Sequence, residues 1–505
     1  MGTRSKKAVL NIFALAISEI IVFITSLILP RVILAYYGSS YNGLVLSISQ
    51  FLRYISVLTL GVAGPTRVAL YRSLTKDTTE ETSGIIKATE TYFRKIARYF
   101  ILYAIALCIV LPVLKRAEFA TAETLILVLI ISVGTFFEYC FGITYKTLLD
   151  ADQRMYIYVL VQTVVKILNV AVSVLLIISG ASIFVAQLYA SLCNAACPVF
   201  IYWYVRKKYR IRSDVEPDYS GLSQRKDAAA SSIANIVHSN TDSFLLTIFG
   251  TSNLVSVYSV YMLIMGGMQS IMRIFTTGLE AAFGNMWALG EIENIKEKMR
   301  LYEFAVYSFV AVAFSCTGLL ILPFISLYTS GVYDTNYIRP GFAILLTITT
   351  AMFCIRQPYL TMVQAAGKYK ETKNGAILEA VLNFSLSLIL IHRFDLIGIT
   401  VGTLVANIIR TGQYAMYMSK NLINRSMKSV IYRLLWTAAS SAIIVCIYEL
   451  LMRSINIGTW ATWFVVALGT GVVAIVVVMV MGALFYRADM RSFITVANRL
   501  LHKRG

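Results

Sequence analysis

The stretch LVLSISQFLRYISVLTLGVAGPTRVAL, residues 44–70, decides the fold. It is long and apolar enough to cross a bilayer, yet it holds two arginines, Arg53 and Arg67. Wound as one helix at about 100° per residue, it places Gln50, Arg53, Val57, Leu60, Gly64 and Arg67 on one stripe and Leu, Ile and Val opposite. A cation at mid-bilayer costs roughly 3 kcal/mol on insertion scales. The stripe is therefore expected to face water or other helices. Arg67, close to one end, could also reach the near interface by snorkelling.

Working outward, the same kind of window recurs from end to end. The chain has 505 residues, 58% of them hydrophobic and 14% charged, with a mean hydropathy of +0.71. This composition predicts an all-α polytopic membrane protein with about fourteen transmembrane helices. The expected spans are 9–34, 44–70, 96–114, 124–146, 156–178, 182–204, 228–249, 254–284, 301–328, 340–363, 375–392, 396–418, 430–451 and 461–484. The basic start MGTRSKK leads into the first of these, read as a retained span rather than a signal peptide because its apolar run is too long. Residues 76–95 and 487–504 read as amphipathic segments in the headgroup layer.

The net charge of +19 does not point to nucleic acid. Most of the 45 Lys and Arg fall in one set of alternating loops and termini, which places that set and both termini in the cytoplasm. Anionic membrane lipids are natural partners for this charge. All seven cysteines lie in apolar stretches. Cys193 and Cys197 are spaced i, i+4, but with His only at 238, 392 and 502 no metal site is expected. No P-loop pattern is present, no cofactor is indicated, and the short outer loops leave little room for catalytic groups. An enzyme is not expected.

An internal repeat organises the chain. A shift of 214 residues lays Tyr145–Ile178 on Tyr359–His392 without a gap. The telling matches are the polar ones in KILNVAVSVLLI and AVLNFSLSLILI, Asn169 with Asn383 and Ser173 with Ser387. The expected organisation is a six-helix lobe at 1–204, an inter-lobe loop at 205–227, and a second six-helix lobe at 228–418. Additional helices thirteen and fourteen follow at 419–484, then a basic amphipathic tail at 485–505. Six spans per copy insert both copies in the same orientation.

Charged residues inside the spans supply the candidate site. Span eight repeats the polar stripe with Gly266, Gln269, Arg273, Thr277 and Glu280. Other internal cations are Arg31, Lys166, Arg356 and Arg410; Glu19 and Asp242 are mid-span acids. With cations in both copies, the expected cavity is cationic on both walls and suits an anionic passenger such as a phosphate or pyrophosphate. Arg53, Arg273, Lys166, Arg356, Arg410, Gln50, Gln269, Arg67 and Arg31 are the expected substrate-binding residues. Glu19, Asp242 and Glu280 are the expected coupling network.

LPRVILAYYGSSYNGLVLSISQFLRYISVLTLGVAGPTRVALYR (29–72) and SNTDSFLLTIFGTSNLVSVYSVY (239–261) resemble the oligosaccharide flippases (Wzx-type) of polysaccharide biosynthesis, in the MOP exporter superfamily. The resemblance spans roughly residues 8–420. It implies two six-helix lobes in a V, opening alternately to each side of a bacterial plasma membrane. The implied passenger is an undecaprenyl-pyrophosphate-linked glycan, with H+ or Na+ coupling and with glycan polymerase and glycosyltransferases as neighbours. Related lipid II flippases carry cavity arginines on helices one, two and eight. Arg53 matches the second of these with a small gap, and Arg273 the third by position; Arg31 sits later in helix one than those arginines do. A cation-coupled multidrug (MATE-type) antiporter, a lipid II flippase, and a membrane anchor for glycan enzymes are the alternatives.

Overall fold

The computed structural model describes residues 3–59, 62–75, 78–212, 214–219 and 240–502. Its helices are α1 (Thr3–Tyr54), α2 (Ala63–Thr75), α3 (Thr79–Leu114), α4 (Thr121–Phe137), α5 (Ile143–Ala151), α6 (Met155–Ile178) and α7 (Ile183–Tyr209). After the helical residues 240–249 come α8 (Ser252–Ala288), α9 (Ile292–Tyr328), α10 (Pro340–Ala365), α11 (Tyr369–Tyr417), α12 (Lys428–Leu451), α13 (Trp460–Phe485) and α14 (Arg487–His502).

Eleven helical stretches among the described residues are long and apolar enough to cross a membrane. Two are too long for one crossing: Phe13–Val57 has 45 residues and Tyr369–Leu422 has 54, against about 20 needed. Each breaks once. The first turns at Gly38, with φ +82°, and the second at Asp395, with φ +46°. The positive φ at Gly38 is a conformation glycine adopts without strain. A Cβ there would lie 2.7 Å from Asp334 Oδ2. Asp334 holds the break by accepting from the Ser39 amide and hydroxyl, both at 2.6 Å. Counting both halves of each broken helix gives thirteen crossings. Residues 240–249 are the described part of the expected seventh, so about fourteen crossings stand.

The opening stretch behaves differently from its expected single helix. The second half of α1 ends at Tyr54, a 3-10 turn covers Ile55–Thr59, and α2 starts afresh at Ala63. Pro65 lacks the amide a continuing helix would need, and Gly64 beside it weakens the helix further. Arg53 and Arg67 therefore sit on separate elements, and no single stripe joins them. Residues 79–95 also depart from a segment lying in the headgroup layer. They are the first turns of α3, and Ile85, Ile86 and Phe93 are buried. Ile85 and Ile86 pack with Tyr145, Leu148, Ile201 and Val205.

The chain divides into two compact units, Met1–Ser259 with Gly331–Thr335, and Val260–Ser330 with Asn336–Gly505. The division falls inside α8. Residues 220–227 of the expected inter-lobe loop, and 228–239 of the expected seventh span, lie outside the described residues. In the first unit, Leu44, Ile48, Phe51 and Leu52 of α1 share a core with Phe93, Phe100 and Leu107 of α3 and Leu127 of α4. Helices α4 and α5 are joined by a π-helical turn, Glu138–Gly142; a second, Met418–Leu422, ends α11.

The repeat is visible in hydrogen bonds. In the first unit Ser173 Oγ donates to Asn169 Oδ1 at 3.2 Å, and Asn169 Nδ2 donates to Ala190 O of α7 at 3.2 Å. In the second, Ser387 Oγ donates to Asn383 Oδ1 at 3.1 Å, and Thr403 of the neighbouring half of α11 donates to the same oxygen at 3.1 Å. An Asn and Ser one turn apart thus pin a helix pair in each copy. A buried polar group must be hydrogen-bonded, which is why these polar positions recur where apolar ones drift.

Candidate functional site

The first unit presents its cations in two places. Arg53, at the end of α1, is exposed and donates from Nε to Ser49 O at 3.3 Å. Lys166, half-buried on α6, lies within its electrostatic reach. Gln50 Nε2 donates to Asn240 Oδ1. Arg67, on α2, pairs with Asp150 of α5 at 2.9 Å. That pair lies in a cavity of about 270 Å³ lined also by Gly64, Glu138, Lys146 and Tyr158. Lys146 sits over the Tyr158 ring, 4.8 Å from its centre. Two cations face two carboxylates here, so the pocket is polar and near neutral. Lys146 and Glu138 were not among the expected site residues; their four- and eight-residue spacing through Gly142 was the available signal.

In the second unit, the expected cations Arg356 and Arg410 are not presented to open space. Both are buried and converge on one buried carboxylate, Glu379 of α11. Arg356 Nη1 contacts Glu379 Oε1, and Arg410 Nε lies 3.4 Å from Oε2. Arg410 also donates to Thr372 O at 2.8 Å, to Gln413 and to Tyr414 Oη, and its guanidinium lies 4.0 Å from the Tyr414 ring centre. Burial explains the arrangement. A desolvated guanidinium needs a counter-charge and acceptors close by, and Glu379 and its neighbours supply them.

The remaining candidates are more scattered. Arg273 of α8 is exposed and donates to Ser270 Oγ at 2.6 Å. Gln269 and Arg31 are half-buried, and Glu19 is exposed on α1. Asp242 accepts from Tyr258 Oη at 3.3 Å. Glu280 is close enough to Tyr369 to act on it electrostatically. Thr277, expected to bridge Arg273 and Glu280, lies outside the described side chains.

Sequence reasoning missed two clusters built on a buried carboxylate, one in each unit. In the first unit Tyr145 donates to Glu90, which also meets Arg206 at 3.5 Å and Arg94 at 3.3 Å. In the second, Glu303 is gripped by both Nη atoms of Arg425, at 2.6 and 2.8 Å, and meets Arg433 at 3.3 Å. Tyr359, the repeat partner of Tyr145, is hydrogen-bonded to Tyr307 at 2.7 Å. Burial lowers the Arg425 pKa, but the hydrogen-bonded Glu303 carboxylate outweighs this and leaves it raised. Glu90 fell in a segment read as amphipathic and Arg425 between expected spans, so neither was weighed as part of a buried cluster.

The architecture is a fold shared with membrane flippases and transporters of known structure. Among particular proteins, the chain is similar to the lipid II flippase MurJ in an inward closed conformation, with a TM-score of 0.70 and 15% identity over 95% of this chain and 99% of that one. It is also similar to an inward-facing multidrug resistance MATE transporter of the MOP superfamily, with a TM-score of 0.62 and 14% identity over 81% and 98%. The MATE multidrug transporter DinF-BH gives a TM-score of 0.60 and 17% identity over 83% and 97%. No protein-family model and no curated protein sequence matches the chain. At these identities the likeness establishes the fold.

Proposed function

We propose that this protein is a flippase for an undecaprenyl-pyrophosphate-linked oligosaccharide, moving it from the cytoplasmic to the outer leaflet of a bacterial plasma membrane by alternating access. The supporting observation is the extent of the structural likeness. The match to a lipid II flippase covers 95% of this chain, whereas the MATE matches leave roughly a fifth of it unmatched. Residues 419–505, which stand outside the repeat, make up a similar share of the chain. A lipid-linked passenger accounts for them better than a soluble drug does, because its polyprenyl tail needs an apolar path that a drug does not.

The pyrophosphate is met by guanidiniums, whose planar fork of donors fits phosphate oxygens. The accessible ones are Arg53 and Arg67 in the first unit and Arg273 in the second, with Lys166, Gln50 and Gln269 beside them. Arg356 and Arg410 are buried against Glu379 and act from behind, by fixing the helices. Glu19, Asp242 and Glu280 carry the coupling ion, a proton or Na+. In Arg53→Ala and Arg273→Ala, transport per folded molecule should fall at least tenfold with membrane abundance near normal; Arg→Lys should be partly tolerated. The assay is flipping in proteoliposomes, or complementation normalised to membrane abundance. Wild-type transport in both alanine variants would sink the assignment, and robust uptake of a cationic dye would favour the multidrug reading.

A further inference from the structure

At one end of the second unit lies a cavity of about 760 Å³ that the transport reading leaves unused. Its walls are the first turns of three helices, α9, α12 and α14, together with the end of α13. Each of those first turns brings the positive end of a helix dipole to the cavity. Five cations line it: Lys296, Arg300, Arg425, Arg433 and Arg487, against the acids Glu293, Glu297 and Asp489. Two of the acids already have partners. Glu293 pairs with Lys296 at 2.7 Å, and Asp489 with Arg300 at 2.7 Å and Arg433 at 2.8 Å.

Arg433 is the most buried of these cations. It is 97% buried (3% exposed), it lines the cavity, and its Nη1 has no hydrogen-bond partner. Its other nitrogens meet Glu303, Asp489 and Arg300 O. Five cations against three acids leave the lining with surplus positive charge, which an oxyanion in the cavity would meet through charge-assisted hydrogen bonds. The surroundings say where that anion comes from. Tyr432, Leu435, Leu484 and Phe485, flanking the cavity on α12 and α13, are 60–67% exposed, an apolar surface suited to acyl chains. The basic residues of the lining lie between expected spans or just inside their ends, on the face expected to be cytoplasmic.

We infer that this cavity is a binding site for the phosphate headgroup of an anionic phospholipid, with the acyl chains lying along α12 and α13. The inference does not depend on which passenger is carried, because its readout is lipid binding and not flipping. The test uses the full-length purified protein and native mass spectrometry, with phosphatidylglycerol, phosphatidylcholine and inorganic phosphate as probes. Phosphatidylglycerol should be retained in preference to phosphatidylcholine. A cation near the headgroup contributes about fivefold in affinity, so Lys296→Gln with Arg487→Gln should weaken phosphatidylglycerol binding more than tenfold. Lys298→Gln, on the same helix but outside the lining, should leave it unchanged. Equal retention of both lipids, or undiminished binding in the double variant, would overturn the site. Full displacement of phosphatidylglycerol by an equal concentration of inorganic phosphate would overturn the lipid as its source. Should the double variant fail to fold, the wild-type lipid preference and phosphate competition still decide.

Discussion

Glu379 is the residue whose removal should do most damage per atom changed. Its side chain is 8% exposed, between Arg356 at 7% and Arg410 at 4%. Glu379→Gln keeps the shape and deletes the charge. Arg356 then loses its ion partner; its Nε already lacks a hydrogen-bond acceptor. Arg410 keeps Thr372 O, Gln413 and Tyr414. Removing one partner of a buried ion pair costs about 3–5 kcal/mol, or roughly two to three and a half powers of ten in a local opening equilibrium. Cys354, two residues before Arg356 and fully buried, reports that opening. In a protein whose only cysteine is Cys354, the rate of labelling by a membrane-permeant maleimide should rise about 10²- to 10³-fold, if labelling proceeds through local opening. Arg356→Met together with Glu379→Gln should recover most of the loss, because the cation left is the one with other acceptors. An unchanged labelling rate in Glu379→Gln, or a double variant worse than the single one, would refute the reasoning.

Two further outcomes are expected, one from packing and one from the distribution of charge. Gly43→Ala would place a Cβ 1.7 Å from the backbone oxygen of Ser252, which no rotamer change can relieve; membrane abundance should fall severalfold, and unchanged abundance and melting temperature would contradict the packing. For topology, a cysteine at Tyr333, which is 92% exposed, should react with an impermeant reagent only from outside the cell, and cysteines at Lys76 and Ser220 only from inside; the reverse pattern would invert the orientation.

The number of crossings was legible because bilayer thickness imposes itself on every apolar window. Even the break at Asp395 fell between expected spans ending at 392 and starting at 396. The Asn and Ser pairs could be recognised as a repeat because polar residues inside a membrane are held by specific acceptors. Helix continuity was less readable. A wheel drawn over 44–70 assumes one axis, and the 3-10 turn at Ile55–Thr59 ends that axis although the hydropathy does not change. The partners of the buried cations could not be read at all. Arg356, Glu379 and Arg410 lie on α10 and the two halves of α11, and periodicity within one helix does not say which faces meet. Glu303 and Arg433 pose the same problem across more than a hundred residues, with α14 adding Asp489.

The π-helical turn at Glu138–Gly142 leaves the chain with slack. Such a turn closes its hydrogen bonds one residue later than the α-helix on either side, so it acts as a one-residue insertion absorbed without interrupting the rod. Each α-helical residue advances the face by about 100°. Straightening this turn to a plain α-helix without removing a residue would swing everything beyond it, Lys146 and Asp150 included, roughly that far from Glu138. Excising the extra residue along with the turn would leave them on the same face, so the turn sets which later residues share the side of Glu138 without a change of side chain.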